Sequence, residues 1–498
     1  MKRSQMWTVM LGMLLIVYCG FLIKNAWYAV SGADSAGYVS FARWMVQGQV
    51  VKPAEELTRL GLPNDFTNVF IPYGFNRGPR PGTVAPFYPV GLPLHLALGG
   101  LIGGWEYGPF LVNPIIAGLS LILIYLVGLE LGLPRRFSVT GAVLLAAHPL
   151  FLYFVLQPMS DGTSVFWALV VVWTSLRSRQ RDLWGLFAGA AFGMAFLVRP
   201  SNILLLVPIL FSLRLKPKVL LLFCLGGLPL AGIFFAYNTA AYGHPLKTGY
   251  TVTNHEDLLM WANLSARFRY YVYFLTMLIG PLVWLGWLSV GAFRQIYWRD
   301  RALIVSWLAA FLLFFSFYNM YHVWWYTRFV LPGIPAMILG ALLTTRELIE
   351  RLKPRVGQSR RVTLSWAAVI ALIVVSVGFS CHYTVRRYHI LAGGQEELIY
   401  PESCRWADQK LPDQSLIFSM QMSSTLKYYT DRLIARYDLM APGQWQVLKT
   451  QVAAKGYRCY ALLWFWEVGK AKEALPGKWE QIGIYRDNIS LWQIEPEP

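Results

Sequence analysis

Long apolar runs separated by short polar turns occupy most of the 498-residue sequence. A run of about 17 to 25 apolar residues is long enough to cross a bilayer as a helix. Eleven segments reach or approach this length, near residues 7–30, 108–131, 138–156, 162–176, 183–198, 201–213, 219–238, 270–291, 302–320, 328–345 and 362–381. The pattern therefore predicts a mainly α fold, a polytopic transmembrane helical bundle of about eleven spans.

One further apolar segment, residues 86–103, is interrupted by three prolines and several glycines. Proline in a helix interior removes a backbone hydrogen bond and kinks the helix, so this segment would make a poor straight span. We expect a re-entrant or interfacial helix inside a long first outer loop, residues 31–107. In the same loop, residues 35–47 have the apolar periodicity of an amphipathic helix.

The pattern changes beyond residue 381, where acidic residues and short alternating apolar runs replace the long ones. Alternation with a period of two, as in residues 415–420 and 460–466, is typical of strands. The sequence thus predicts two domains, a transmembrane domain over residues 1–381 and a small extracytoplasmic α/β domain over residues 382–498.

Composition agrees with a membrane protein, because 56% of the residues are hydrophobic, 14% are charged and the mean hydropathy is +0.43. The formal charge of +18 is concentrated in alternate loops, which indicates that those loops are cytoplasmic. This bias predicts a cytoplasmic N-terminus and an extracytoplasmic C-terminal domain. Nucleic acid is a poor candidate partner, since no basic stripe interleaved with aromatic residues lies outside the apolar runs.

Two of the five cysteines, Cys404 and Cys459, lie in the polar C-terminal region. The predicted topology places them outside the cytoplasm, where a disulfide persists. They are therefore candidates for a disulfide, although sequence does not show whether they come within bonding distance.

Asp34 follows the first apolar run, at the predicted outer mouth of that span. It has two interpretations that can coexist. As a structural residue it caps the amphipathic helix that follows, and as a functional residue it is a general base that takes a proton from an acceptor hydroxyl. Asp161 has the same two interpretations on the same predicted face, and two carboxylates at one interface could share a cavity.

A phosphate leaving group at this level would need cations, because its developing charge must be neutralised in a region of low dielectric. The outer-face candidates are Arg199, Arg328, Arg77, Arg80, Lys247 and His322. Interfacial snorkelling or contact with lipid headgroups is the alternative role for each. His244, His255, Glu256 and Asp257 share a loop but lack a specific ligand spacing, so they indicate a metal site only weakly.

Several segments follow one another in a recognisable order, namely Asp34–Tyr38, Pro86–Pro93, Asn113–Arg136, His148–Asp161, Leu197–Ser201 and Trp324–Pro332. Together they resemble the GT-C superfamily of membrane glycosyltransferases, in particular the bacterial relatives of protein O-mannosyltransferases and of the lipid A aminoarabinose transferase. The resemblance covers roughly residues 7–345, and its strength is the ordered set rather than any one segment.

The resemblance implies a multi-pass enzyme of the bacterial inner (plasma) membrane that depends on a polyprenyl phosphate-linked sugar. It implies inverting transfer of a hexosyl or pentosyl group to a lipid, glycan or protein acceptor on the outer, periplasmic face. Carried over to this sequence, it implies Asp34 as catalytic base, Asp161 as the second acidic residue, and Arg199 or Arg328 near the lipid phosphate.

Tyr88, in the Pro- and Tyr-rich segment, is a further candidate for substrate binding, together with the outer-face cations His322, Lys247 and Arg80. Relatives often carry an acidic residue just before this segment, whereas Thr83-Val84-Ala85 stand there in this chain. No cofactor is therefore assigned, and the involvement of a divalent metal stays open.

Two other functions stay open, a flippase or transporter of lipid-linked glycans and a polymerase or ligase of surface polysaccharide. A transporter would be expected to carry ionisable residues near mid-bilayer and repeated halves, and the sequence shows no such repeat. The identities of the sugar and the acceptor are not indicated.

Overall fold

The structure, a computed structural model, describes residues 3–252, 259–320, 322–356, 375 and 377–495. The chain divides into two compact units. Unit 1 comprises Met1–Ala26, Leu111–Gly232 and His255–Ala392, and unit 2 comprises Trp27–Phe110, Ile233–Asn254 and Gly393–Pro498. The described residues are mainly helical, with a small sheet near the C-terminus, which confirms the predicted fold class in outline.

The helices are numbered here along the chain. They are α1 (Arg3–Asn25), α2 (Asp34–Val46), α3 (Glu55–Leu60), α4 (Gly91–Glu130), α5 (Arg135–Ala147), α6 (Pro149–Val155), α7 (Ser160–Arg177), α8 (Trp184–Val198), α9 (Leu206–Leu213), α10 (Pro217–Tyr242), α11 (Gly249–Val252), α12 (Leu264–Ile279), α13 (Pro281–Ser289), α14 (Trp298–Ser316), α15 (Ile334–Val356), α16 (Gly393–Glu397), α17 (Ile399–Lys410), α18 (Ser423–Tyr429), α19 (Gln444–Ala454) and α20 (Val468–Ala474). Residues 377–387 are also helical. Segments of 3-10 helix occur at Asn64–Phe70, Pro200–Leu205, Trp261–Asn263, Val290–Ala292, Trp324–Gly333 and Tyr437–Leu439.

Three helical segments of the described residues are long and apolar enough to cross a membrane: Gly91–Glu130, Pro217–Tyr242 and Trp324–Arg351. The number rises to 5 if each of two bent pairs is counted as one span. One pair is α5 with α6, bent by 64°, and the other joins Trp261–Ile279 to Pro281–Ala292 at 117°. The predicted number of about eleven spans is not confirmed, and the predicted span at 362–381 lies largely outside the described residues.

Helix α4 is interrupted at Gly104, whose φ of 73° and ψ of 162° are not helical. The chain folds back at this residue, because a Cβ on Gly108 would lie 2.0 Å from the carbonyl oxygen of Gly99. Only glycine permits such a close approach of two backbones. The Pro- and Gly-rich segment therefore does not continue straight into the span that follows it, as the sequence predicted.

Close helix packing in unit 1 also depends on glycine. A Cβ on Gly189 of α8 would lie 1.8 Å from the carbonyl oxygen of Phe223 in α10, and a Cβ on Gly226 would lie 1.9 Å from that of Leu186. Small residues allow apolar helices to approach until their backbones touch. Helices α8 and α10 are therefore in direct backbone contact.

Unit 2 contains two sheets. The first is antiparallel, with strand order β1-β3-β2, where β1 is Lys52–Pro53, β2 is Phe75–Arg77 and β3 is Thr83–Pro86. The second has the order β5-β4-β6-β8-β7, from β4 (Ser415–Phe418), β5 (Leu433–Ala435), β6 (Arg458–Trp464), β7 (Lys478–Tyr485) and β8 (Ile489–Glu495). Strand β4 pairs in parallel with β5 and β6, whereas β8 pairs antiparallel with β6 and β7.

The five-stranded sheet separates two hydrophobic cores. Successive side chains of a strand point to opposite faces, so Phe418 lies in one core and Ile417 in the other. The core that contains Phe418 also contains Leu57, Phe66 and Phe70 from the first loop. The first loop and the C-terminal residues therefore share one core, and the domain boundary predicted near residue 382 stays a prediction.

The two cysteines of the predicted disulfide lie on opposite faces of this sheet. Cys404 of α17 belongs to the core of Ile417, and Cys459 of β6 belongs to the core of Phe418. Both thiols are free, and burial raises the pKa of the Cys459 thiol to about 12. The disulfide prediction is wrong, because each cysteine fills a core position as a small apolar side chain.

Candidate functional site

Asp34 is the first residue of α2, and its carboxylate oxygen Oδ1 accepts a hydrogen bond from the Tyr88 hydroxyl. Ala33 occupies the N-cap position, and no side chain caps the helix there. A carboxylate in the first helical turn interacts favourably with the helix dipole. Half-buried Asp34 therefore lies in the first turn of α2 and does not form the predicted cap. Its carboxylate contacts Tyr88, a second predicted site residue.

The Tyr88 phenol is a permanent donor at neutral pH. Burial raises its pKa well above the ordinary value, and the neighbouring charge of Asp34 raises it further. A phenol that stays protonated donates to the carboxylate and holds it in one orientation. The pair can therefore present an oriented carboxylate to a substrate hydroxyl.

Two glycines allow this pair to form. A Cβ on Gly37, one turn after Asp34, would lie 2.5 Å from Cε2 of the Tyr88 ring. Gly74 has a φ of +86°, and a Cβ there would lie 2.4 Å from the carbonyl oxygen of Ala33. The Tyr88 ring also packs on the Tyr38 ring, with centroids 4.5 Å apart. The missing side chains let the Pro- and Tyr-rich segment lie directly on α2.

Tyrosines at the end of α10 hold the backbone of the Pro- and Tyr-rich segment. The Tyr237 hydroxyl donates to the carbonyl oxygen of Tyr88 at 2.8 Å, and the Tyr242 hydroxyl donates to that of Pro86 at 3.0 Å. A Cβ on Gly249 would lie 1.8 Å from the carbonyl oxygen of Phe87. Sequence reasoning missed these positioning residues, although Tyr237, as a tyrosine within a predicted apolar span, is a usable signal.

The other predicted cations of unit 2 do not join this pair through any contact found in the described part of the chain. Arg77 ends strand β2, Arg80 lies in the turn before β3, and Lys247 lies in the loop before α11. All three are exposed, and none forms an ion pair with a described residue. Their predicted role in substrate binding stays a prediction.

Asp161, the second predicted acidic residue, lies in the first turn of α7 and is 1% exposed. Its Oδ1 accepts a hydrogen bond from the Arg199 guanidinium, which follows the C-terminus of α8. Removing one partner of a buried ion pair strands the other charge, so the two residues depend on each other. Two residues predicted separately thus form one buried ion pair.

Polar side chains between the helices fix the turn that carries Asp161. The buried Asn113 amide donates to the carbonyl oxygen of Met159 at 2.8 Å and accepts from the Thr163 hydroxyl at 2.7 Å. On the next face of α7, Ser164 donates to Asn202 at 2.9 Å. Sequence reasoning did not select these residues, which are buried polar groups with satisfied hydrogen bonds.

Arg199 and Arg328 lie close to the same aromatic ring. Their guanidinium carbons lie 5.7 Å and 5.6 Å from the centroid of Phe329, within the range of a cation–π contact. The structure therefore brings the two predicted arginines of unit 1 into one cationic cluster.

Arg267 of α12 is a buried cation that sequence reasoning missed. It is 7% exposed, its Nη2 donates to Asn319 Oδ1 at 3.3 Å, and its buried Nε and Nη1 have no hydrogen-bond partner among the residues that the structure describes. A buried guanidinium that lacks an ion-pair partner is costly and points to an anionic ligand. The predicted His322 is exposed and packs on Tyr270 of the same helix with ring centroids 5.7 Å apart, and partial desolvation followed by the charge of Arg267 lowers its pKa.

The described residues contain no cluster of side chains that could hold a metal ion. No group of three His, Cys, Asp or Glu side chains among them has the arrangement of a metal site. The weakly indicated loop residues His255, Glu256 and Asp257 lie outside the described part of the chain. The involvement of a divalent metal stays a prediction.

Comparisons with known proteins identify proteins that share this fold. Residues 89–235 match the model of the dolichyl-phosphate-mannose-protein mannosyltransferase family. No curated protein matches the sequence. ArnT from Cupriavidus metallidurans in the apo state superposes with a TM-score of 0.61 at 15% identity over 98% of both chains. The same protein bound to undecaprenyl phosphate gives a TM-score of 0.57 at 14% identity, again over 98% of both chains.

The oligosaccharyltransferase of Archaeoglobus fulgidus, in complex with Zn and sulfate, superposes with a TM-score of 0.55 at 14% identity. This alignment covers 94% of the present chain and 71% of that chain. Identities this low show the fold alone. The chain has the GT-C fold of these proteins, so the resemblance inferred from its sequence is confirmed.

Proposed function

We propose that this GT-C-fold chain is an integral membrane glycosyltransferase that moves a sugar from a polyprenyl phosphate-linked donor to an acceptor hydroxyl, with inversion. The observation that carries the proposal is the Asp34 carboxylate held by the Tyr88 hydroxyl at the start of α2. The GT-C fold supports it, because a compared protein that shares this fold is an oligosaccharyltransferase. We place the reaction on the outer face of the bacterial inner membrane, as the charge bias of the loops favours.

Asp34 acts as the general base in this proposal. The acceptor oxygen forms a bond to the anomeric carbon from one side, while the bond from that carbon to the phosphate oxygen breaks on the other. Asp34 takes the proton of the acceptor hydroxyl, and the electron pair of the broken bond leaves with the polyprenyl phosphate. A well-positioned base contributes about 10²- to 10⁴-fold to such a step.

The sequence resemblance implies that Arg199 or Arg328 binds the lipid phosphate, and this role stays a prediction. Taken by itself, unit 1 offers the buried Arg267 as a further candidate for binding an anion, because its Nε and Nη1 have no hydrogen-bond partner among the described residues, whereas Arg199 bonds to Asp161. Asp161 is then a positioning residue that orients Arg199, rather than a second base. The prediction that Asp34 and Asp161 share one cavity stays a prediction.

The donor assignment is supported by the ligands of proteins with the same fold. ArnT was crystallised bound to undecaprenyl phosphate, and the oligosaccharyltransferase AglB of A. fulgidus was solved with a dolichol-phosphate and an inhibitory peptide. Both ligands are polyprenyl phosphates. We therefore propose the same class of lipid carrier here and leave the sugar and the acceptor unassigned.

Replacement of Asp34 tests the proposal. A strain lacking this protein is complemented with the wild-type chain, with Asp34→Asn, or with Asp65→Asn, a matched change at an exposed aspartate of the same loop. Mass spectrometry of glycolipids, glycans and glycoproteins should show a sugar modification that wild type and Asp65→Asn restore and Asp34→Asn does not. Purified Asp34→Asn should still bind undecaprenyl phosphate.

The outcomes separate the competing functions. Restoration of the modification by Asp34→Asn would rule out Asp34 as the catalytic base, and a flippase or transporter would then be the better explanation. A modification that alters the length of a surface polysaccharide, rather than adding one sugar, would favour the polymerase or ligase.

A further inference from the structure

Unit 2 contains a cavity of about 410 Å³ that the proposed chemistry does not use. We name it the α2 cavity. Its walls are formed by α2, by the turn from β1 to α3, and by α18 with the residues that follow it. The volume lies within the roughly 300–1,000 Å³ of typical ligand pockets, so a ligand the size of one or two sugar rings fits its dimensions.

One face of α2 lines the cavity. Ser40, Arg43, Trp44 and Gln47 are its contributors, spaced as neighbours on one side of a helix. Asp34 precedes Arg43 by nine residues, which is about two and a half turns, so the two side chains leave α2 on opposite sides. The α2 cavity is therefore distinct from the place where Asp34 and Tyr88 meet.

Two cations of the cavity have no ion-pair partner among the described residues. Arg43 lies over the Tyr428 ring at 5.6 Å, and Lys52 lies over the Trp44 ring at 5.2 Å. Lys52 also donates to the side-chain oxygen of Gln47 at 2.8 Å. Charge-assisted bonds to a carboxylate or phosphate are the strongest contacts available to such groups.

The remaining charged side chains of the cavity are largely engaged elsewhere or exposed. Lys427 is paired with Glu56, which is 2% exposed, and Glu55 faces Arg59 at 3.5 Å. Asp431 is exposed at the rim. Burial lowers the pKa of Lys52, and the positive charges of Lys427 and Arg43 lower it further against the opposing effect of Glu55. A bound anion would relieve this crowding of positive charge.

The other lining groups suit a carbohydrate. The rings of Trp44 and Tyr428 offer apolar faces for the C–H groups of a sugar ring, and Trp44 is fixed because it packs on Phe75 with centroids 4.8 Å apart. Ser40, Gln47 and Thr430 offer donors and acceptors for sugar hydroxyls. Rigid aromatic rings beside a few polar groups are the usual lining of a small-molecule site.

We propose that the α2 cavity binds an anionic saccharide, carboxylated or phosphorylated, as the non-reacting part of the acceptor. The assignment to the acceptor rests on the proposed function, whereas binding of the saccharide does not. Arg43 and Lys52 contact the anionic group, Trp44 and Tyr428 contact the sugar ring, and Asp34 takes no part. Binding energy at a remote site would then position the reacting hydroxyl.

Direct binding tests the inference on the full chain carrying Asp34→Asn, which excludes turnover. The probes are a tetrasaccharide of alternating glucuronic acid and N-acetylglucosamine, the neutral N-acetylglucosamine tetrasaccharide, and glucose 6-phosphate, each titrated by calorimetry. We expect at least one anionic probe to bind about tenfold more tightly than the neutral tetrasaccharide, a difference that salt reduces. The anionic probe that binds more tightly identifies carboxylate or phosphate as the charged group that the cavity recognises.

Variants identify the cavity as the site of binding. Arg43→Gln and Lys52→Gln should each weaken the anionic probe about tenfold, while Lys470→Gln, an exposed lysine of α20 outside the cavity, should not. Thermal unfolding confirms that each variant is folded. Equal binding of neutral and anionic probes, absence of binding, or wild-type affinity in both cavity variants would overturn the inference.

The result is separable from the proposed function. If the protein transfers sugar in cells but binds no anionic probe, the inference about the α2 cavity is wrong, whereas the proposed transferase function is retained. If an anionic probe binds and the two cavity variants weaken its binding, the inference about the α2 cavity is retained even when Asp34→Asn restores the modification.

Discussion

Gly37→Ala is the sharpest test of the contact between Asp34 and Tyr88. Its Cβ would lie 2.5 Å from Cε2 and 2.8 Å from Cδ2 of the Tyr88 ring, and 3.0 Å from the carbonyl oxygen of Gly74. Non-bonded carbon atoms prefer about 3.5–4.0 Å. The ring must therefore move by roughly 1 Å, the difference between these separations.

The ring has little freedom to move without leaving Asp34. Its backbone is held by Tyr237, and its face packs on Tyr38. Overpacking of this kind costs about 1–3 kcal/mol, and misplacement of a catalytic group by about 1 Å costs about 10²-fold in rate. We expect kcat to fall about 10- to 100-fold, with a much smaller change in binding of the lipid phosphate.

The assay compares initial rates of sugar transfer in four purified proteins, namely wild type, Gly37→Ala, Tyr88→Ala and the double variant. Once the ring is absent only the milder approach of 3.0 Å to the Gly74 carbonyl oxygen remains, so Gly37→Ala should cost at most a few-fold in the Tyr88→Ala background. Gly469→Ala is the matched control, because Gly469 lies in helix α20 and a Cβ there meets nothing within 4 Å.

Two results would refute the reasoning. One is transfer by folded Gly37→Ala within about twofold of wild type, a difference far below the cost expected from overpacking. The other is an equal loss in the presence and absence of the Tyr88 ring, which would place the effect of the new methyl group elsewhere.

Further predictions address the surrounding structure. Asp161→Ala should destabilise the protein by about 3–5 kcal/mol because it strands Arg199; the variant that also carries Arg199→Ala should unfold at a higher temperature than Asp161→Ala, and the opposite order would show that the pair is not coupled. Tyr237→Phe removes the donor to the Tyr88 carbonyl and should lower the free energy of unfolding by about 1 kcal/mol, with a several-fold lower kcat; an unchanged kcat would show that this bond does not position the site. Burial raises the pKa of Glu467, so its contribution to stability is present below the pKa of the unfolded chain and is lost as pH rises through the folded pKa. The melting temperature of wild type should therefore fall relative to that of Glu467→Gln as the pH rises above about 4.3, the ordinary pKa of a glutamate, and a constant difference would contradict this sign.

The sequence selected single candidate residues but not the contacts between them. Asp34 and Tyr88 were each selected, but they are 54 residues apart and their hydrogen bond depends on two glycines that leave room for the ring. The pairing of Asp161 with Arg199 depends likewise on how two apolar helices pack. Hydrophobic periodicity specifies which face of a helix is buried but not which helix covers it.

The failures have specific physical causes. The disulfide prediction assumed that two cysteines in one polar region would meet, whereas the period of two in β6 and the buried face of α17 send them to different cores. Arg267 was missed because it stands beside Arg269 at the start of an apolar run, where snorkelling is the ordinary expectation. Only the fold shows that it is buried.

The core shared by Phe418, Leu57, Phe66 and Phe70 has a practical consequence for any shortened form of this protein. Ending the chain at residue 392 would remove half of the surroundings of those first-loop side chains and expose them to water. The loop that begins with α2 would then lose its support, and the shortened protein should be inactive and prone to aggregate even though Asp34 itself is retained. The last hundred residues are thus a structural partner of the base rather than a detachable appendage.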